Sequence, residues 1–185
     1  MRKLSVLIFI FALVSPVTSA TGKTRLITIS GRYASQMRLA VDLFVPEVSG
    51  NQKLGTEMTN LLIDDLLISG FFQPVENKTF LAQASSLDRK TGKINLKEWI
   101  SLGVEILIKG SYRVADDMIT IQCRALRVLR GEQVYGKKYT GDISRWREII
   151  HTIADEIVLS LTGSPGLART EIAFVSLDAG EKKIY

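Results

Sequence analysis

VEILIKGSYRVADDMITIQCRALRVL, residues 104–129, is the segment around which the rest of the chain has to be arranged. Two runs rich in Val, Ile, Leu and Tyr flank a polar Ala115-Asp116-Asp117 tip, the pattern of a β-hairpin. In the first run Val104, Ile106 and Ile108 fall on one face, and Glu105, Leu107 and Lys109 on the other. In the second, Ile119, Ile121, Cys123 and Ala125 oppose Thr120, Gln122 and Arg124. Such alternation predicts strands covered fully on one side and partly on the other.

Working outward, Arg130-Gly131 predicts a second tight turn, and Glu132–Thr140 returns as a third antiparallel strand. Asp142-Ile143-Ser144 then precedes a helix over 145–162. Its stripe of Trp146, Ile149, Ile150, Ile153, Ala154, Ile157, Val158 and Leu161 faces the sheet, and Gly163 and Pro165 end it. Upstream of the hairpin, Arg38–Val45 reads as the first core strand, stopped by Pro46. Leu54, Met58, Leu61, Leu62 and Leu66 recur at helical spacing over Gln52–Ser69, and Gly70 is a C-terminal stop. Phe71–Val75 is a short second strand with an edge-type Pro74. Strand, helix and strand in that order predict a parallel pair with a right-handed crossover. Asn77–Thr91 reads as a polar surface loop with at most one helical turn near Leu81–Ala84. Asn95 and Glu98 have capping-box spacing and start a short helix, Leu96–Leu102, that carries Trp99 inward.

Composition bounds the function. The chain has 185 residues, 46% of them apolar, which suits one packed domain of ordinary size. Met1–Ala20 has a basic start (Arg2, Lys3), an apolar run from Leu4 to Val14 and small residues before a break, the form of a secretory signal peptide. Cleavage is expected between Ala20 and Thr21, with Thr18 at the minus-three place; cleavage after Ser19 is the alternative. An uncleaved anchor is disfavoured, because the apolar run is short for a bilayer. No Cys lies near this boundary, which argues against a lipoprotein anchor. Without Arg2 and Lys3 the 24 basic residues fall to 22 against 19 acids, a net charge of about +3. Lys and Arg are scattered along the sequence, so nucleic-acid binding is not expected. No later apolar run is long enough for a membrane helix, so the mature protein should be soluble and exported.

Catalytic chemistry finds little support. Cys123, the only cysteine, lies on an apolar strand face and reads as a buried core residue. His151 is the only histidine and reads as a surface residue beside Arg147 and Asp155, with no nucleophile motif in company. One His and one Cys make a poor metal site. Asp64 and Asp65 point about 100° apart on a helix, so they read as surface acids and not as a catalytic pair. Gly22-Lys23-Thr24 has the ending of a phosphate-binding loop, but that loop needs a Gly five residues before Gly22, where Val17 stands. A hydrolase is disfavoured, and no cofactor is expected.

Two terminal segments remain. Arg25-Leu26-Ile27-Thr28-Ile29 is a β-prone run with no turn tying it to the next strand. It is either an edge strand of the domain or a strand offered to another protein's sheet edge. At the other end, a linker over 163–166 leads to a fresh strand, Arg169–Ser176, a turn at Asp178–Glu181 and the start of another strand. A lone hairpin is marginal in water, so it reads as the first piece of a further domain.

Thr162-Gly163 with Arg169-Thr170-Glu171-Ile172-Ala173-Phe174-Val175, the block Trp99–Gly110, and Leu66, Ile68, Ser69, Gly70, Phe71 and Phe72 together resemble the amino-terminal part of the TolB family, periplasmic components of the Tol–Pal system of Gram-negative bacteria. The resemblance runs from the leader to Tyr185. It implies an α/β domain with helices packed on a mixed five-stranded sheet, order 2-1-3-4-5, followed by the first hairpin of a truncated β-propeller. It implies a signal peptide over 1–20, a partner-binding tail over 21–35, the α/β domain over 36–163, a linker over 164–168 and the propeller start over 169–185. It implies no enzymatic activity. The expected role is that of a monomeric periplasmic adaptor, membrane-associated only through its partners, that keeps the envelope connected and draws the outer membrane inward at cell division. The tail, with Thr24, Arg25, Leu26, Ile27, Thr28 and Ile29 at its centre, would bind TolA by strand addition. The lipoprotein Pal would bind the propeller, which lies beyond this chain. A stand-alone export or assembly factor sharing this domain is the alternative.

Overall fold

The structure, a computed structural model, describes residues 36–48, 51–76, 78–170, 175–178 and 181–184. Its centre is the expected hairpin, β4 (Ile106–Ala115) and β5 (Met118–Arg127), in register from Ile106 opposite Arg127 to Ala115 opposite Met118. Asp116 makes the turn at φ 52°, a left-handed conformation that its short polar side chain tolerates. A 3₁₀ turn at Val128–Arg130 and Gly131, at φ 63°, reverse the chain into β6 (Glu132–Asp142). A bulge at Ala125–Leu126 shifts the β5–β6 register and bends that edge.

On the other side of β4 the strands run parallel. β1 (Met37–Val41) lies between β3 (Phe72–Pro74) and β4, and β2 (Val45–Pro46) pairs with the far half of β4. Among the described residues the sheet order is β3-β1-β4-β5-β6, with β2 beside β4, which makes six strands rather than five. The additional strand arises because the expected first strand, Arg38–Val45, is broken. At the break Asp42 accepts the Leu43 N–H and the Phe44 N–H donates to Thr59 Oγ1 at 3.0 Å. Phe44 is fully buried, its ring laid against Gly110 of β4, where a Cβ would collide with it.

Helices α1 (Gln52–Ile68) and α4 (Trp146–Thr162) pack together on one face of the sheet. Asn51 caps α1 through its side chain, which accepts the Lys53 N–H. The core there joins Met58, Leu62 and Leu66 of α1 and Ile150, Ile153 and Ile157 of α4 to Ile106, Ile108, Ile119, Ile121, Cys123 and Ala125 of the hairpin. Each such large side chain contributes ~1.5–3 kcal/mol when fully buried. The opposite face has a smaller cluster, where Leu107, Val104 and Ala40 meet Trp99, Ala84 and Val128. Val104 therefore belongs to the second face and not with Ile106 and Ile108, because it precedes the regular strand.

That second cover contains a helix that hydrophobic periodicity misses. Residues 78–91 form α2 (Lys78–Thr91), not a loop. Its inward side is Ala84, Ser85 and Asp88, so it buries small and polar groups where an apolar stripe would be expected. Helix α3 (Leu96–Ser101) buries Trp99 as expected, but Asn95 makes no side-chain cap; its own N–H donates to Asp88 instead. Farther along, β7 (Val175–Asp178) and β8 (Glu181–Ile184) form a separate antiparallel pair.

Candidate functional site

The sequence-derived site residues Thr24, Arg25, Leu26, Ile27, Thr28 and Ile29, and the cleavage pair Ala20 and Thr21, lie outside the described residues. β1 starts at Met37, and both its flanks are taken, by β3 and β4. Among the described residues β3, three residues long and ending in Pro74, β6 and the two-residue β2 each have one flank without a paired strand.

Three polar clusters sit around this sheet. The first lies between α2 and the second face. Lys109 Nζ is 2.6 Å from Asp42 Oδ2 and 3.0 Å from Asp88 Oδ2, and its charge stands 5.3 Å from the centre of the Trp99 ring. Asp88 accepts further hydrogen bonds from the Asn95 N–H at 2.7 Å and Trp99 Nε1 at 2.8 Å. Burial works against its ionisation, yet these hydrogen bonds outweigh it and hold the carboxyl below the usual aspartate range. Asp42 also accepts from Ser85, which itself accepts from Arg89. Two acids matched by two cations make a fastening for α2.

The second cluster joins α1 to α4. His151 Nδ1 lies 2.7 Å from Asp65 Oδ2. Neither is the free surface group that the sequence suggests, since Asp65 is buried and His151 half-buried. Helix packing brings together residues that are far apart in sequence, and no local spacing signals the pair. Burial lifts the Asp65 carboxyl, His151 opposes the lift, and Asp155 and Asp64 reinforce it. Asp155 in turn accepts the Ala168 N–H at 2.8 Å and Arg169 Nε at 3.0 Å, which pins the segment after α4 onto that helix.

The third cluster lies between β6 and α4. Glu156 accepts from the hydroxyls of Tyr135 and Tyr139 and from Lys137 Nζ at 3.0 Å. Burial opposes the ionised form of Glu156, but those donors win and its pKa is lowered. Burial pushes both hydroxyls up, Tyr139 to about 12 with help from Glu156 and Tyr135 higher still with help from Tyr139.

None of these clusters has the parts of a catalytic centre. The Cys123 thiol is buried and pushed up to about 12 by that burial, so it is not a nucleophile at neutral pH. Among the described residues no three His, Cys, Asp or Glu side chains converge on a metal position, and no helix is long and apolar enough to cross a membrane. The polar groups are satisfied by one another, which is structural use.

Comparison with known proteins places the domain. Residues 25–134 match the family model of the TolB amino-terminal domain. The chain is 32% identical over 164 residues to the Tol-Pal system protein TolB of Geobacter sulfurreducens, covering 87% of this chain and 36% of that protein. It is 31% identical over 165 residues to the protein of the same description from Desulfosudis oleivorans, covering 86% and 37%. The chain thus spans little more than a third of these relatives. The crystal structure of TolB from Acinetobacter baumannii superposes with a TM-score of 0.59 at 21% identity, over 76% of this chain and 32% of that one, a likeness of fold.

Proposed function

The chain belongs to the TolB family, and from that membership we propose that it is the amino-terminal portion of a non-enzymatic periplasmic adaptor of the Tol–Pal system. In this reading the leader over 1–20 is removed after export. The tail over 21–35 then presents Thr24, Arg25, Leu26, Ile27, Thr28 and Ile29 as a strand to TolA. The pair β7–β8 opens a propeller whose remainder, beyond this chain, holds Pal. The link between the two partners maintains the outer membrane and draws it inward at division.

The supporting observation is the occupancy of the sheet. β1 is already flanked by β3 and β4, so no interior lane beside it remains for residues 25–29. A β-prone run with no lane beside β1 can instead offer its main-chain groups to a neighbour's sheet edge.

The test removes Thr21–Ile29 and measures two quantities, affinity for the carboxy-terminal domain of TolA and thermal unfolding. The expected result is loss of binding with an unfolding midpoint shifted by no more than about 2 °C, within the range of a negligible stability change. Undiminished affinity rejects the tail as the binding element. A collapse in unfolding temperature shows instead that the tail is part of the body.

A further inference from the structure

The second face of the sheet is only partly roofed by α2 and α3. Beyond them a groove of about 690 Å³ opens between the end of α2 with residues 92–94 and the strands β4, β5 and β6. Its two acids, Asp42 and Asp88, are spent on Lys109. Three further cations that line it, Lys93, Arg124 and Lys138, have no side-chain hydrogen bond or ion pair among the described residues. They lie far apart in sequence, so their gathering is invisible there; scattered along the chain, they are not scattered in space.

The register makes the arrangement specific. Arg124 stands opposite Gly136 across β5–β6, and Lys138, opposite Gln122, is its diagonal neighbour on the same face. Diagonal neighbours are about 7–8 Å apart, close enough for two like charges to repel and for one short acidic segment to reach both. Gly136 has no side chain of its own, and the Gln133 amide lies over it, where a Cβ at 136 would collide. An unmatched guanidinium, an unmatched ammonium and an amide with both donor and acceptor therefore border one concavity.

We propose that this groove docks an extended acidic segment of a partner protein. Arg124 takes a carboxylate through two parallel N–H donors, Lys138 takes a second as a point charge, and the Gln133 amide bonds the segment's main chain. The concave shape favours a chain over a flat membrane surface, which would meet only the rim. The proposal does not depend on what the tail binds.

A fluorescent six-residue Asp–Glu peptide is the probe, titrated at low ionic strength into the purified chain and two double variants. Arg124→Glu/Lys138→Glu reverses the groove charges. Lys78→Glu/Lys97→Glu makes the same change in net charge at exposed positions outside the groove. The expected result is about a tenfold weakening in the groove variant and about twofold or less in the other, since only desolvated or convergent charges carry such differences. Arg124→Gln/Lys138→Gln, which keeps size and polarity, serves if charge reversal disturbs the sheet, and should weaken binding in the same direction. Equal weakening in both double variants, or none in the groove variants, overturns the proposal. So does a wild-type chain that binds phosphatidylglycerol vesicles through Arg124 and Lys138 while ignoring the peptide.

Discussion

Asp65 Oδ2 and His151 Nδ1 meet at 2.7 Å across the seam between α1 and α4, and they are the ionisable pair that joins those two helices. Both helices also bury apolar side chains there, so the pair sits at the rim of the main core. Replacing His151 by Ala leaves a buried carboxylate without its partner and should cost ~1–3 kcal/mol. The influences of His151 are the ones that lower the Asp65 pKa, so in His151→Ala that pKa should climb further above 3.8. An NMR titration of the Asp65 carboxyl checks this, and an unmoved midpoint refutes it. In the unaltered protein the raised pKa means that folding favours the protonated acid. That contribution is complete below the unfolded value and is lost as pH rises through the folded value. Asp65→Asn does not titrate, so its stability relative to the parent should improve across that interval.

Glu156 has the opposite sign. Its pKa is lowered from 4.5, so its contribution is present above that value and disappears as pH falls through the lower folded value. Glu156→Gln should cost about 1 kcal/mol at neutral pH, the worth of a partly exposed hydrogen-bonded charge. The gap to the parent should close in acid. Urea denaturation of both proteins from neutral to acid pH measures it, and a constant gap contradicts the assignment.

Asp88 should be the costliest polar position on the second face. Asp88→Ala strips an acceptor from Lys109, the Trp99 indole and the Asn95 N–H together. Leaving these groups unmatched should cost ~3 kcal/mol or more. Arg89→Ala removes a side chain that is 47% exposed and should cost under ~1 kcal/mol. Equilibrium denaturation ranks the two, and a reversed ranking would show that α2 is held by something other than Asp88.

Gly55 should reverse the usual helix rule. Within an exposed helix, Ala is favoured over Gly by about 1 kcal/mol. Here a Cβ would run into the Phe44 carbonyl, a main-chain atom that is held in place by the Phe44 N–H bond to Thr59. Gly55→Ala should therefore destabilise by ~1–3 kcal/mol. A thermal midpoint at or above that of the parent would mean that the break between β1 and β2 can move.

The hairpin, the two apolar helices and the strand faces were legible because they depend on local patterns. Ile106, Ile108, Ile119, Ile121, Cys123 and Ala125 are buried together as period-two alternation requires, and the α4 stripe faces the sheet as its spacing requires. Family membership was also legible, in blocks such as Trp99–Gly110, which lies inside the matched residues 25–134. Helix α2 escaped notice because its inward side, Ala84, Ser85 and Asp88, is selected for closeness and hydrogen bonding, which hydrophobic periodicity does not register. The broken first strand escaped because its cause, Gly110 making room for Phe44, lies on another strand.

The sequence alone determined the hairpin, the two helices with apolar stripes and the faces they turn inward, since side-chain direction repeats every two or 3.6 residues and burial follows it. Only the tertiary structure decided which distant charges share a neighbourhood: Asp65 with His151, Asp42 and Asp88 with Lys109, Arg124 with Lys138. Coulomb and hydrogen-bond interactions act over a few ångströms in space and carry no period along the chain, so they become readable only after the elements have packed.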